Sequence, residues 1–328
     1  MVRKKALAVA VCVVAGYAGA VFAQGSSPGD YPTRPIRMIV AFAPGGGTDI
    51  IGRIAAKGIG DNLGQQVVVD NRPGAGGNIG VEVVAKAAPD GYTLLTTGTG
   101  THAINPSLYP DLRWHPLKDF APVSLVADTP YLMVVNQSVP ARNVKEFIAY
   151  AKASPDKVNM ASSGSGGMPH LAGELFNLMA GIKMLHVPYK GTGAVFPDLI
   201  GGRVQVTFGD IVATYPHVKG GKLRALGITA PKRAANLGDI PTIAESGVPG
   251  YDAVGWFGVF APAGTPRAVI AKLNDAIAKY VKQPEVTQRF ADLGAVVVAS
   301  TPEQFLATQK ADLARWGKVV KAAGMKVE

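Results

Sequence analysis

A glycine-rich turn near the start of the chain is the strongest chemical signal in the sequence. Residues 42–49 read Phe-Ala-Pro-Gly-Gly-Gly-Thr-Asp and join an apolar run over residues 36–42 to a helical pattern that begins at Ile50. The first N–H groups of a helix have no partner within the helix, and glycine lets a ligand approach them without meeting a Cβ atom. The turn therefore predicts an anion site. Because no Lys follows the glycines, it argues against a P-loop and a nucleoside triphosphate.

A second glycine-rich turn repeats this design. Residues 163–170 read Ser-Gly-Ser-Gly-Gly-Met-Pro-His, after an apolar run over residues 158–162 and before a helix with a leucine face. Two helix N-termini directed at one ligand would suit a dicarboxylate, with Ser162, Ser163 and Ser165 as hydroxyl donors. Each turn could instead be an ordinary tight connection between a strand and a helix.

A third polar loop follows the apolar run over residues 92–97. Residues 96–103 read Thr-Thr-Gly-Thr-Gly-Thr-His-Ala, a formal G-x-G-x-x-A match with Asp119 about twenty residues further on. The loop could contact a small solute, form a plain turn or bind a dinucleotide. Carboxyl ends of strands in open α/β sheets favour ligand contact, and export of the chain, argued below, disfavours a dinucleotide.

Two aspartates lie next to these loops, and the sequence allows more than one role for each. Asp49 lies in the first turn of a predicted helix, and Asp210 ends a predicted strand. Asp49 could cap its helix and interact favourably with the helix dipole. It could instead orient the loop through backbone N–H groups, or accept an ammonium or hydroxyl donor from the solute. The same choice applies to Asp210, whose position favours exposure in a cleft.

Catalytic and metal-binding patterns are missing from the sequence. Apart from residues 25–29 (GSSPG), which follow no predicted strand, no Ser lies in a G-x-S-x-G pattern. No H-E-x-x-H occurs, and the one Cys is Cys12. The histidines are scattered singly, at positions 102, 115, 170, 186 and 217. We therefore expect a protein that is not an enzyme, with no metal and no organic cofactor.

The first residues have the pattern of a secretory signal peptide. Three basic residues precede an apolar stretch over residues 6–21, and Val21-Phe22-Ala23 is followed by small and polar residues. We predict cleavage after Ala23 and a periplasmic protein. An uncleaved anchor is the alternative, but the apolar run is shorter than the ~20 residues of a spanning helix. Without Cys12 the mature chain has no disulfide, so its fold must rest on its core.

The charge of the chain limits the classes of partner that we expect it to bind. Removing the three basic residues of the leader from the 33 in the chain leaves 30, against 23 acidic residues. A basic surface raises the encounter rate with anionic solutes. No Lys/Arg run with interleaved aromatic residues occurs, so no nucleic-acid partner is expected. No second long apolar stretch follows the leader, so the mature chain is expected to lack membrane spans.

The hydrophobic pattern predicts an α/β fold with mainly parallel sheets flanked by helices. Short apolar runs alternate with helical periodicity and helix start signals. The predicted strands cover residues 36–42, 66–70, 92–97, 131–136, 158–162, 184–188, 204–208, 223–229, 258–261 and 296–299.

The length of the mature chain favours two lobes. About 305 residues exceed the usual size of one α/β sheet domain. Proline-rich segments over residues 120–122 and 240–250 mark two crossings of the chain. We predict a signal peptide over residues 1–23, a discontinuous lobe 1 over residues 24–123 and 250–328, and lobe 2 over residues 124–249. The ligand cleft would lie between the lobes.

Several ordered blocks resemble one known family along the whole mature chain. The chain is similar to the Bug (TctC-like) family of periplasmic solute-binding receptors of tripartite tricarboxylate transporters. The blocks are residues 31–37 (YPTRPIR), 42–49 (FAPGGGTD), 69–80 (VDNRPGAGGNIG), 88–94 (APDGYTL), 186–191 (HVPYKG), 202–206 (GRVQV) and 260–266 (FAPAGTP).

The resemblance implies a two-lobed Venus-flytrap of periplasmic binding protein type II that closes on a small carboxylate. It implies a monomer that delivers its ligand to membrane transporter subunits. A sensory receptor that signals carboxylate availability to a sensor protein is the alternative, and an exported enzyme acting on small organic acids is a more distant one. The implied ligand contacts are Phe42, Ala43, Gly46, Gly47, Thr48, Asp49, Thr99, Thr101, Ser163, Gly164, Gly166 and Asp210.

Overall fold

The computed structural model describes residues 31–155, 157–234, 237–322 and 324–325. The predicted signal peptide and its cleavage site after Ala23 lie outside this part of the chain. Within the described residues, no helix combines the length and apolar character needed to cross a membrane.

Lobe 1 is built on a six-stranded mixed sheet. Its strands are β1 (Ile36–Val40), β2 (Val67–Asn71), β3 (Thr93–Gly98), β4 (Phe120–Thr129), β10 (Gly255–Pro262) and β11 (Val296–Val297). Their order is β11-β4-β10-β3-β1-β2. β1 pairs in parallel with β2 and β3, whereas β10 lies antiparallel to β3 and β4. β11 is antiparallel to β4, so β10 and β11 run against the other strands.

Lobe 2 repeats this plan with five strands. They are β5 (Tyr131–Asn136), β6 (Asn159–Ser162), β7 (Leu185–Pro188), β8 (Val206–Asp210) and β9 (Leu223–Ile228), in the order β7-β6-β8-β5-β9. β6 pairs in parallel with β7 and β8, and β5 lies antiparallel to β8 and β9. The predicted two-lobed α/β fold is confirmed. Each sheet is mixed because a reversed central strand, β10 in lobe 1 and β5 in lobe 2, is inserted among strands that share a direction.

Helices cover both sheets. They are α1 (Gly47–Leu63), α2 (Asn78–Ala85), α3 (Asn105–Leu108), α4 (Val144–Ala153), α5 (Met168–Ala180), α6 (Thr192–Ile200), α7 (Ile211–Lys219), α8 (Arg267–Val281), α9 (Pro284–Asp292) and α10 (Pro302–Ala322). A 3-10 turn (Ala75–Gly77) precedes α2, and a π-helical turn (Gly100–Ile104) precedes α3. The reversed strands β5 and β10 are buried at every residue, as expected for central strands covered on both faces.

The chain crosses between the lobes at two points. β4 ends at Thr129 and β5 begins at Tyr131, so the first crossing lies at Pro130. The predicted boundary at residue 124 falls inside β4, a strand that the sequence pattern missed because Pro122 and Asp128 interrupt its apolar run. The return crossing lies between β9 and β10, which brackets the predicted boundary at residue 250.

Thr229 forms hydrogen bonds to both segments that cross between the lobes. Its hydroxyl accepts a hydrogen bond from the Tyr131 N–H (2.8 Å) and donates one to the Ala253 carbonyl (2.6 Å). Thr229 is fully buried. The two segments between the lobes therefore form one hydrogen-bonded hinge.

Candidate functional site

The two lobes touch each other across the cleft. The Ala43 N–H in lobe 1 donates to the Lys190 carbonyl in lobe 2 (3.0 Å). The Tyr109 hydroxyl in lobe 1 donates to the Ser165 carbonyl in lobe 2 (2.9 Å). The structure is therefore a closed form, with the glycine-rich loops of both lobes in contact.

An inner cavity of about 30 Å³ lies between the lobes. It is lined by Phe42, Gly46, Gly47, Thr48, Gly98, Gly100, Thr101, Tyr131, Ser163, Gly167, Met168, Pro169, Thr192, Asp210 and Phe257. Both glycine-rich turns identified in the sequence reach this cavity. The third loop, after β3, forms part of its wall.

Three helices begin at this cavity without a capping side chain: α1, α5, and α6, whose N-cap is Gly191 and whose first residue, Thr192, lines the cavity. α1 starts after Gly46 and α5 after Gly167, and neither N-cap glycine offers a side-chain acceptor to the first turn. By contrast, the Asn143 side chain accepts a hydrogen bond from the Glu146 N–H at the start of α4 (2.9 Å). Because side-chain caps normally satisfy these N–H groups, the α1 and α5 ends keep positive dipole ends for a ligand. The Gly47 N–H at the start of α1 already donates to the Asp210 carboxylate.

The approach of the lobes explains two of the glycines. A Cβ atom at Gly47 would collide with the Asp210 carboxylate and the Phe257 ring. A Cβ atom at Gly100 would lie 2.6 Å from the Met168 nitrogen, at the start of α5. Such separations are too short for carbon, so these positions need glycine for the lobes to meet.

The inner cavity has an unusual charge distribution. No Lys, Arg or His lines it, and Asp210 is its one charged side chain. Asp210 is 3% exposed, and its carboxylate accepts the Ala213 N–H (3.0 Å). Burial raises the pKa of Asp210, an effect that the Thr192 hydroxyl and the N–H groups of Ala213 and Gly47 oppose. In this lining, helix ends and not a cationic side chain carry partial positive charge.

Eight of the predicted ligand contacts line the cleft. The inner cavity holds Phe42, Gly46, Gly47, Thr48, Thr101, Ser163 and Asp210. Gly164 lines the outer cavity described below. The fold thus brings together residues from three loops and from the end of β8, which are far apart in the sequence.

Asp49 lies beside the cleft and organises its first loop. Its carboxylate accepts hydrogen bonds from the Gly45 N–H (3.0 Å), from Arg53 Nε (3.0 Å) and from Asn71 Nδ2 (2.9 Å). Burial acts to raise the pKa of Asp49, but these three groups outweigh burial and lower it. Asn71 Nδ2 also donates to the Phe42 carbonyl (2.9 Å). Of the roles considered for Asp49, orientation of the loop fits this geometry.

Three further predicted contacts lie outside both cavities. Ala43 makes the interlobe hydrogen bond to Lys190. Thr99 is buried, and its hydroxyl oxygen accepts the Trp256 N–H (2.8 Å). Gly166 donates its N–H to His170 Nδ1 (3.2 Å). In this closed form all three hold cavity loops in place.

Several cavity residues were not predicted as ligand contacts. They are Gly98, Gly100, Tyr131, Gly167, Met168, Pro169, Thr192 and Phe257. Gly98, Gly100 and the start of α5 belong to loops that the sequence did single out. Tyr131, Thr192 and Phe257 come from strand and helix ends with no local motif, so only their position in the fold reveals them.

A larger outer cavity of about 350 Å³ shares Phe42 and Ser163 with the inner one. It is further lined by Gly74, Ala75, Gly76, Gly77, Tyr109, Gly164, Ser165, Pro188, Tyr189 and Lys190. Lys190 is the one cationic residue in this lining. The cleft thus has a tight inner end without a cation and a roomier outer end with one.

A buried histidine, His170, and a half-buried one, His186, support the second glycine-rich turn. The rings of His170 and His186 stack with their centroids 3.7 Å apart. His186 Nε2 lies 2.6 Å from the Ser162 hydroxyl. Burial lowers the pKa of His170 to about 3 and that of His186 to about 4, so both are neutral at pH 7. In the described part of the chain, no group of three His, Cys, Asp or Glu residues could hold a metal ion.

Two hinged lobes closed over a cavity of helix N-termini define the molecule as a two-lobed solute-binding protein. The family model of the tripartite tricarboxylate transporter family receptor matches residues 51–325. The chain belongs to this family, which consists of receptors rather than enzymes.

Relatives match the chain over nearly its whole length. Protein BugT of Bordetella pertussis (strain Tohama I) is 40% identical over 299 residues, covering 91% of this chain and 92% of BugT. The structure of R. palustris Rpa4515 with adipate has a TM-score of 0.88 and 38% identity, covering 90% of this chain and 99% of that one. MatC from Rhodopseudomonas palustris with bound malate has a TM-score of 0.85 and 35% identity, covering 88% and 100%.

Proposed function

We propose that this protein captures a small carboxylate or dicarboxylate in the periplasm and delivers it to a tripartite tricarboxylate transporter. The observation that carries the proposal is the meeting of two uncapped helix N-termini from opposite lobes in one cavity. Adipate in one solved relative and malate in another support an organic acid as the ligand.

Helix ends suit a receptor that must release its ligand. A desolvated ion pair with an Arg would cost several kcal/mol per buried ion, and its geometry would have to be excellent to compensate. A helix end presents partial positive charge that the fold has already oriented. Hydroxyl groups of Thr48 and Ser163 add neutral donors in the same cavity, whereas the Thr101 hydroxyl donates to the Gly76 carbonyl (2.9 Å). The acid would be held by many moderate interactions that separate when the lobes open.

The outer cavity allows the ligand to extend beyond one carboxylate. With the first carboxylate between the helix ends, the rest of the acid would lie against Phe42 and Ser163, which border both cavities. Lys190 would then supply a positive charge near a second carboxylate. Binding from both lobes would stabilise the closed form and couple occupancy to shape.

A panel of organic acids tests capture. We expect one or more of acetate, succinate, malate, adipate, glutamate and benzoate to raise the melting temperature of the purified protein. Calorimetry should then give a single site, and chromatography should recover the acid unchanged. Failure of every acid to stabilise or bind would refute capture, and conversion of the acid would identify an enzyme instead.

Delivery needs a cellular test. A strain lacking this receptor but retaining the membrane subunits should lose uptake of the radiolabelled acid. The wild-type gene should restore uptake, and a variant that folds but does not bind the acid should not. Normal uptake without the receptor, with loss of a transcriptional response to the acid, would favour the sensory role.

A further inference from the structure

The inner cavity contains a buried acid where an acid is proposed to bind. Asp210 ends β8 and caps α7, with its carboxylate accepting the Ala213 N–H at 3.0 Å. It lines the same cavity as Gly46, Gly47 and Thr48 at the start of α1. A side chain at Gly47 would collide with it. Asp210 therefore reaches from lobe 2 to the helix end that lobe 1 offers to an anion.

The groups that face Asp210 do not neutralise a second negative charge. Tyr131 on β5 is its neighbour in register on the adjacent strand, and burial together with the nearby Asp210 raises the pKa of this phenol well above its usual value. The α6 and α1 sides contribute the neutral Thr192 hydroxyl and Gly47 N–H. The imidazoles of His170 and His186 belong to the same lobe but do not line the cavity.

A ligand carboxylate between the two helix ends would thus lie beside a second carboxylate in a small, closed space. Two like charges sharing one buried site raise the pKa of one of them strongly. The usual outcome is that the pair holds one proton between its oxygens, in a short charge-assisted hydrogen bond.

We propose that the receptor binds its acid together with a proton, which Asp210 and the carboxylate of the ligand share. This inference rests on the proposed function, because it needs a carboxylate in the inner cavity. The proton comes from solvent when the lobes close and returns to solvent when they open. Burial already shifts the pKa of Asp210 upward in the closed protein, which is the direction that proton uptake requires.

Calorimetry measures this proton directly. The probe is the acid of the panel above that binds most tightly, titrated in phosphate, HEPES and Tris buffers at about pH 8, well above the ordinary pKa of a carboxyl group. The slope of the observed enthalpy against the buffer ionisation enthalpy should show uptake of about one proton per acid bound. The dissociation constant should rise roughly tenfold per pH unit above neutrality.

Asp210→Asn tests the assignment because Asn keeps the size of the side chain and an oxygen for the Ala213 N–H. This variant should bind the same acid without proton uptake and with a nearly flat pH dependence. Asp128→Asn is the matched control. Asp128 is another carboxyl group whose pKa is raised, to about 6, by burial and by Asp312, but it does not line the cavity. Its loss should leave the proton uptake unchanged.

The outcomes separate the two proposals. Tight binding without proton uptake in the wild-type protein would overturn the proton proposal and leave capture intact, and this result does not depend on a variant. Full uptake in a folded Asp210→Asn protein would also overturn it and would indicate the His170–His186 pair instead. Asp210-dependent selection for hydroxy or amino acids without uptake would show that Asp210 accepts a ligand donor. If no acid binds, both proposals fall.

Discussion

The Ala43 N–H in lobe 1 donates a hydrogen bond of 3.0 Å to the Lys190 carbonyl in lobe 2. This bond joins the loop after β1 to the loop after β7, at the border of the cleft. Together with the Tyr109–Ser165 bond, it stabilises the closed arrangement of the lobes. Contacts that exist only in the closed form contribute to ligand affinity without touching the ligand.

Tyr109→Phe should weaken ligand binding through closure. The variant loses one neutral interlobe hydrogen bond, worth about 1 kcal/mol, so we expect about a fivefold rise in the dissociation constant. Calorimetry with the acid of the panel that binds most tightly measures this dissociation constant. The control is Tyr31→Phe, which removes a tyrosine-to-carbonyl bond within lobe 1, to Gly91. Equal losses of affinity in both variants would contradict a role in closure.

Gly47→Ala should keep the lobes apart. Its Cβ atom would meet the Asp210 carboxylate of lobe 2 when the cleft closes, in addition to Phe257 of its own lobe. Overpacking of this kind costs about 1–3 kcal/mol, so affinity should fall roughly tenfold to a hundredfold. Small-angle X-ray scattering should show that the acid no longer compacts the protein.

Gly46→Ala provides the comparison for this prediction. A Cβ atom at Gly46 would lie 3.5 Å from the Thr192 nitrogen, which is ordinary van der Waals contact. We expect a much smaller loss of affinity for this variant. An equal loss of affinity in the two variants would show that the closed cleft does not exclude a side chain at residue 47.

Asn71→Ala should loosen the first glycine-rich loop. Asn71 Nδ2 donates to the Phe42 carbonyl and to Asp49 (both 2.9 Å), and leaving such acceptors unpaired costs about 1–3 kcal/mol. Affinity should fall about tenfold. Asn62→Ala is the control, because Asn62 also donates to two oxygens, those of Gly58 and Ala276, away from the cleft. It should lower the free energy of unfolding but leave affinity unchanged.

His170 and His186 predict loss of stability on acidification. Burial lowers the pKa of His170 to about 3, with help from the charge of His186, and lowers that of His186 to about 4. In the unfolded chain both titrate near pH 6.5. The unfolded state therefore binds more protons, and stability is fully present above about pH 6.5 and falls as the pH drops towards about 4.

His186→Gln should reduce this pH dependence. Each buried neutral histidine contributes a slope of up to about 1.4 kcal/mol per pH unit in this range. Urea unfolding at about pH 7.5 and about pH 5 measures the difference. The slope should shrink without vanishing, because His170 remains. If the free energy of unfolding falls equally in the wild type and the variant between these two pH values, the folded protein does not hold His186 in its neutral form.

Most strands could be read from the sequence, and the exception has a physical cause. The run over residues 131–136 matches β5 residue for residue, since a strand buried on both faces is apolar without interruption. β4 carries Pro122, Ser124 and Asp128, which break such a run. Its pairing with the fully buried β10 compensates for these residues, and a local pattern does not contain that pairing.

The candidate site was predictable where it depends on a local turn. The loops at Gly46 and Ser163 can be recognised in the sequence because glycine and serine residues lie between a predicted strand and a predicted helix. Thr192 and Phe257 carry no such signal, and they reach the cavity because α6 and β10 begin beside it. Thr99, which the family resemblance implies as a ligand contact, accepts the Trp256 N–H of β10 through its hydroxyl oxygen.

The sequence by itself determined the alternation of strands and helices and the two uncapped helix starts, because both follow from periodicity and from residues within one turn. The tertiary structure decided what those starts face. Only the closure of two lobes brings Gly47 against Asp210 and makes one cavity from distant loops. That arrangement depends on contacts between residues far apart in the chain, and such contacts produce no local pattern in the sequence.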